Sequence, residues 1–114
     1  MRKERVTTLE LDEYMERCDK VLAFLCDMSD RATHVSYMTP ENRKGLDETL
    51  RRLHYMIQES SDIYDDLRLI SFGSLDVPDY AVREYFSRVE DMEVDCDYIR
   101  QDVLAEAKKV MRVV

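Results

Sequence analysis

His34 and His54 are the only histidines in this 114-residue chain, so chemistry here would have to begin from carboxylates. Ser-His-Asp and Cys-His nucleophile arrangements have almost nothing to draw on. There is no Gly-rich phosphate loop and no His-Glu-x-x-His. A ferritin-like di-iron site needs Glu-x-x-His on two helices, but Arg31 stands three residues before His34 and Arg51 three before His54, which excludes it. Carboxylates do recur at helical spacing, as Glu13-x-x-Glu16 and Glu59-x-x-Asp62. Cys18, Cys26 and Cys96 cannot all pair within one chain and form no Cys-x-x-Cys. Cys18 and Cys96 fall on core positions and Cys26 flanks the core, so the expectation is buried, reduced thiols in a cytosolic protein. His34 stands near the end of the first helix, where a protonated imidazole favours the carbonyl terminus.

The elements that must position these residues are helices. Leu11, Tyr14, Cys18, Val21, Leu25 and Met28 carry one heptad run. Leu46, Leu50, Leu53, Ile57, Tyr64 and Leu67 carry a second, and Val82, Tyr85, Val89, Met92, Cys96, Ile99, Val103, Ala107 and Val110 a third. Spacings of three and four put each set on one helix face. Two Gly and two Pro are too few for a sheet-rich chain of this length, and they fall at the breaks. Thr7 with Glu10 has the spacing of a capping box, Thr39-Pro40-Glu41 restarts a helix, Phe72-Gly73-Ser74 ends it, and Asp76-Val77-Pro78-Asp79 opens the last one. The expectation is an all-α, elongated, antiparallel three-helix bundle in one domain spanning 1–114, with helices at about 8–36, 40–71 and 78–113. A second stripe beside the first (Val21, Met28, Val35; Met56, Ile63, Ile70; Met92, Ile99, Val110) gives each helix an apolar arc wide enough for two neighbours. The surplus width also suits a homodimer.

Glu13-x-x-Glu16 and Glu59-x-x-Asp62 resemble the Glu-x-x-Glu and Glu-x-x-Asp pair of the all-α nucleotide pyrophosphohydrolases. That resemblance implies a magnesium ion held between two helices. In a hairpin turning near 37–39, Glu13 would lie level with Asp62 and Glu16 level with Glu59. The azimuth disagrees: at about 100° per residue, Glu13 and Glu16 point some 140–160° away from the direction of Leu11, Cys18 and Leu25. Glu59 and Asp62 likewise point away from Leu53, Ile57 and Tyr64. Carboxylates aimed at solvent from two helices cannot share one cation. The residues alone therefore favour a solvated face, no cofactor and no catalysis, with the hydrolase as an alternative.

Charge carries the remaining signal. A net charge of −8 and a pI near 4.7 argue against nucleic acid or anionic membrane as a direct partner, since both attract clustered Lys and Arg. The longest apolar run, Val21 to Leu25, falls far short of the roughly 20 residues that span a bilayer. Met1-Arg2-Lys3-Glu4-Arg5 leads into Thr-Thr-Leu-Glu rather than an apolar signal core, so the expected location is the cytoplasm. On a helical projection Glu84, Asp91, Asp95 and Asp102 fall within about 40° of one another, opposite the core, along about 27 Å of axis. Tyr80, Val94 and Tyr98 lie beside them. Glu59, Asp62, Asp65 and Asp66 make a second acidic segment. Phe24, Tyr55, Leu69 and the Tyr80/Tyr98 pair lie off the main stripes, and clustered in space they would mark a binding patch.

A ribbon of carboxylates edged by tyrosines suits an arginine-lined surface, the acids standing in for phosphates and the rings supplying contact area. The functional expectation is a small acidic inhibitor or regulator that docks on a basic partner protein such as a nucleic-acid-binding enzyme. Size and charge fit the anti-defence inhibitors of phages and mobile elements, the anti-CRISPR and anti-restriction classes, acting in the host-cell cytoplasm. The alternatives are a structural or assembly subunit, or homodimer, and the magnesium-dependent nucleotide pyrophosphohydrolase.

Overall fold

A computed structural model describes the backbone of residues 5–38 and 43–113 and the side chains of 5–34 and 47–105. Three helices account for almost all of it: α1 (Thr8–Met38), α2 (Arg43–Ser71) and α3 (Asp79–Val113). They pack as a rod of 57 × 28 × 19 Å.

Local chemistry sets the ends. Thr7 and Glu10 form the reciprocal capping box: the Glu10 amide donates to Thr7 Oγ1 at 3.1 Å and the Thr7 amide to Glu10 Oε1 at 3.3 Å. Gly73, at φ 74°, takes the left-handed conformation that stops α2. Its amide donates to the Ile70 carbonyl and the Ser74 amide to that of Leu69, the paired bonds of a Schellman motif. Pro78 lies just outside α3, not in its first turn. Its carbonyl accepts from the Ala81 and Val82 amides, so Pro78 caps the helix that begins at Asp79, where the proline spacing places the opening. The restart at Thr39-Pro40-Glu41 lies outside the described residues.

Side-chain pairs fix the directions. Cys18 meets Ser60 and Ser29 meets His54, so α1 and α2 run antiparallel. Tyr85 meets Asp66, Arg88 meets Glu59 and Arg52 meets Asp102, so α2 and α3 do the same. The first and third helices are then parallel, joined by a polar ladder. Arg83 reaches Glu10, Tyr14 donates to Glu90, Arg17 grips both carboxylate oxygens of Glu93 through Nε and Nη2, and Arg100 covers the ring of Phe24. Among the described residues the α2–α3 seam is the thinnest of the three.

The core follows the heptads. Cys18, Val21, Leu25, Met28, Leu53, Met56, Ile63, Leu67, Val82, Val89, Met92, Cys96, Ile99 and Val103 are all buried. Phe86 joins them from outside the predicted stripe, stacked on Tyr14 with centroids 4.0 Å apart, and Ala32 fills the α1 line. Ser60 is fully buried as well. Its hydroxyl donates to the Met56 carbonyl at 2.7 Å, while the Cys18 thiol donates to the Ser60 carbonyl at 3.2 Å, so neither polar group is stranded. Two expectations change. Cys26 is exposed on α1 rather than flanking the core. Phe24, expected off the core, is half-buried and packs against it, because the side chain turns inward beneath Arg100.

Candidate functional site

The acidic residues of α3 divide by what they meet. Glu90 and Glu93 turn toward α1, where Tyr14 and Arg17 occupy them. Their bonds act in both directions: the hydrogen bond to Glu90, with burial second, holds the Tyr14 phenol above its usual pKa, and Glu93 raises that of Arg17. Tyr85 is held up in the same way by its 2.7 Å bond to Asp66 and by burial.

Glu84, Asp91, Asp95 and Asp102 are all exposed, as are Tyr80, Val94 and Tyr98. The four carboxylates do not form one uniform ribbon. An ideal helix drifts about 20° per heptad against a regular core, so the buried arc of α3 creeps round as the helix advances. Asp95 and Asp102 consequently border α2, while Asp91 faces outward. Asp102 pairs with Arg52 across the seam at 3.6 Å. Glu84, Asp91 and Asp95 have no ion-pair partner among the described residues. Tyr80 and Tyr98, 18 residues apart on one helix, are separated by about 27 Å and form no pair.

The thin α2–α3 seam opens into a groove of about 330 Å³. Tyr55 from α2 and Tyr98 from α3 line it, with Arg52, Glu59 and Asp95 at its edges and the buried Met56 and Ile99 beneath. Tyr55 and Tyr98 are 71% and 62% exposed, whereas Tyr14 and Tyr85 are half-buried with their hydroxyls bonded. Helical projection shows that both exposed rings lie off the core, but not that they meet. Folding α3 back on α2 about the 72–78 connection brings residue 98 level with residue 55, and that register is the signal that could have found the groove.

Other exposed apolar groups gather elsewhere. Leu69 and Phe72 share a depression with Asp65 and Arg68 at the end of α2, and Glu84 borders a smaller one with Tyr85 and Arg88. In the second acidic segment Glu59 is paired with Arg88 at 2.9 Å, Asp62 accepts from Gln58 and Asp66 from Tyr85. Among the described residues only Glu59 is ion-paired there, since Gln58 and the Tyr85 hydroxyl are neutral donors, and Asp62, Asp65 and Asp66 keep their charge.

The carboxylates of the hydrolase-like pattern are not brought together. Glu13 and Glu16 are exposed on α1, where Glu16 pairs with Lys20, while Glu59 is held by Arg88 on the α3 side. Among the described residues no three His, Cys, Asp or Glu side chains are grouped to hold a metal ion. His34 is exposed, and His54 approaches Ser29 Oγ at 3.5 Å. No helix, among the described residues, is long and apolar enough to cross a membrane.

What fold and surface define is a three-helix bundle with an acidic, tyrosine-bearing α2–α3 face. Comparison with protein-family models, with curated proteins and with solved structures found no match to this chain.

Proposed function

We propose that this chain is a binding protein that lays the α3 edge and the α2–α3 groove against a basic surface of a partner protein and blocks it. The observation that carries this reading is the division of carboxylates on α3. Glu90 and Glu93 are bonded to Tyr14 and Arg17 of α1, whereas Glu84, Asp91 and Asp95 present free charge beside exposed Tyr80, Val94 and Tyr98. Unpaired surface charge steers encounter with a partner of opposite sign, and exposed tyrosines supply contact area once it arrives. A nucleic-acid-binding enzyme, whose working groove is rich in Lys and Arg, is the partner such a surface suits, and a phage-encoded anti-CRISPR or anti-restriction inhibitor is the biological setting.

The test reverses Glu84, Asp91 and Asp95 to Lys together. Asp102 is left alone because a lysine there would face Arg52. Proteins captured from lysate of the cell that encodes the chain are compared between wild type and variant at low and high salt. The reading expects a basic nucleic-acid enzyme to be captured, released by salt and inhibited on addition of the chain, with binding at least about tenfold weaker for the folded variant. Unchanged binding and unchanged salt dependence would overturn it.

One observation favours a second reading. Leu69 and Phe72, 44% and 71% exposed, share one depression at the end of α2, as a subunit of an assembly or a homodimer would have. Sedimentation across a dilution series decides this: a dimer holds its doubled mass, and a monomer shows the single-chain mass throughout.

A further inference from the structure

We infer that the α2–α3 groove is a receptor for one arginine side chain of the partner, the guanidinium lying against Tyr55 and Tyr98 with its N–H groups on Asp95. The inference rests on the reading of the chain as a binder of basic proteins and names what it grips.

Arg52 at the groove edge is cancelled by Asp102 at 3.6 Å, and Glu59 by Arg88 at 2.9 Å. Asp95 is the carboxylate left without a partner among the described residues, so the groove carries a net charge of one unit and suits one cation. Two half-buried tyrosines of the chain already hold an arginine of their own. Tyr14 has Arg17 over its ring at 4.4 Å and Glu90 on its hydroxyl, and Tyr85 has Arg88 at 6.0 Å and Asp66 on its hydroxyl. Ring, cation and carboxylate stand together at both. Tyr55 and Tyr98 bring rings and a carboxylate to one groove, yet no guanidinium of the chain covers either ring among the described residues, Arg52 included.

The groove is also the right size. At about 330 Å³ the space lies at the lower end of the roughly 300–1,000 Å³ of ligand pockets. That is enough for one long side chain and too little for a docked helix. A planar guanidinium stacks on aromatic faces while its edge reaches a carboxylate, which a compact ammonium cannot do equally well, so arginine fits better than lysine.

The experiment titrates three blocked tripeptides, Gly-Arg-Gly, Gly-Lys-Gly and Gly-citrulline-Gly, together with a hexa-arginine peptide, into the labelled protein and follows amide and tyrosine ring resonances. Gly-Arg-Gly is expected to shift Tyr55, Asp95 and Tyr98 saturably. Citrulline, which keeps the shape without the charge, is expected to leave them unmoved, and lysine to bind several-fold more weakly. Asp95→Asn and Tyr98→Ala, both on exposed positions, should each weaken Gly-Arg-Gly at least about fivefold, with Asp12→Asn, exposed on α1 away from the groove, neutral. Helix content measured on the same samples confirms that each variant is folded. If Gly-Arg-Gly gives no localised shifts, or binds Asp95→Asn as well as wild type, while hexa-arginine still binds along Glu84 and Asp91 in a salt-dependent way, the groove inference is overturned and the wider acidic-surface reading stands. If hexa-arginine also fails to bind, both fall.

Discussion

Raising the pH from 8 to 11 should destabilise this protein through two sulfur atoms. Cys18 and Cys96 are 0% and 7% exposed, and burial, aided by neighbouring Asp19 at one and by Asp95, Asp97 and Glu93 at the other, pushes each thiol from an ordinary value of 9.0 up to about 11. The folded state therefore holds both protons more tightly than the unfolded chain does. Their contribution is fully present below pH 9, where both states are protonated, and is lost as pH rises through the folded value. Between those limits each thiol removes about 1.4 kcal/mol per pH unit, so the pair withdraws on the order of 5 kcal/mol by pH 11. Against a total of roughly 5–15 kcal/mol for a domain, that loss removes between about a third and all of the stability. The assay is urea unfolding followed by circular dichroism at half-unit steps from pH 8 to 11, on wild type and on Cys18→Ala/Cys96→Ala. The variant begins less stable because two buried sulfurs leave cavities, so the comparison is of slopes rather than of starting values. Cys26, the lysines and the tyrosines are common to both proteins and cancel. Equal slopes between pH 9 and 10 would refute the argument, since they would mean that the buried thiols ionise as easily in the bundle as in the unfolded chain.

Leu53→Ala should cost about 2–5 kcal/mol in the same unfolding assay, because its side chain is fully buried, whereas Tyr55→Ala two residues on, at 71% exposed, should stay within about 0.5 kcal/mol. Gly73→Ala should cost about 1 kcal/mol: nothing lies within 4 Å of the added carbon, so the penalty is the left-handed backbone alone, and Gly73→Asn should recover part of it in a thermal melt.

Much of this architecture was legible in the residues. Cys18, Leu25, Leu53, Leu67, Val89 and Ile99 are buried where heptad spacing puts them, since a three-helix bundle asks of each helix little more than an apolar arc at the right period. Ser60 escaped because a hydrophobic count never considers a serine, and nothing in its type reveals that its hydroxyl will be satisfied one turn back in its own helix. Phe86 escaped because the arc was centred on Val82, Tyr85 and Val89, while a helix with two neighbours buries residues on both flanks of that line. For the candidate site, projection identified the exposed positions of α3, but burial and pairing depend on the rotation and register of a second helix. That is why Asp102 proved to be tied to Arg52 and why Tyr55 and Tyr98 come together.

The ladder between α1 and α3 bears on which changes of length the chain tolerates. Its rungs keep nearly one offset: 10 with 83, 14 with 90, 17 with 93 and 24 with 100. A residue inserted into the 72–78 connection shifts every rung equally and leaves them in step. The same insertion between Arg83 and Arg100 turns all that follows by about 100°, carrying the later rungs off α1 and the buried line off the core together. Natural variants of this chain should therefore differ in length at that connection and hold α3 to a fixed count between its first rung and its last.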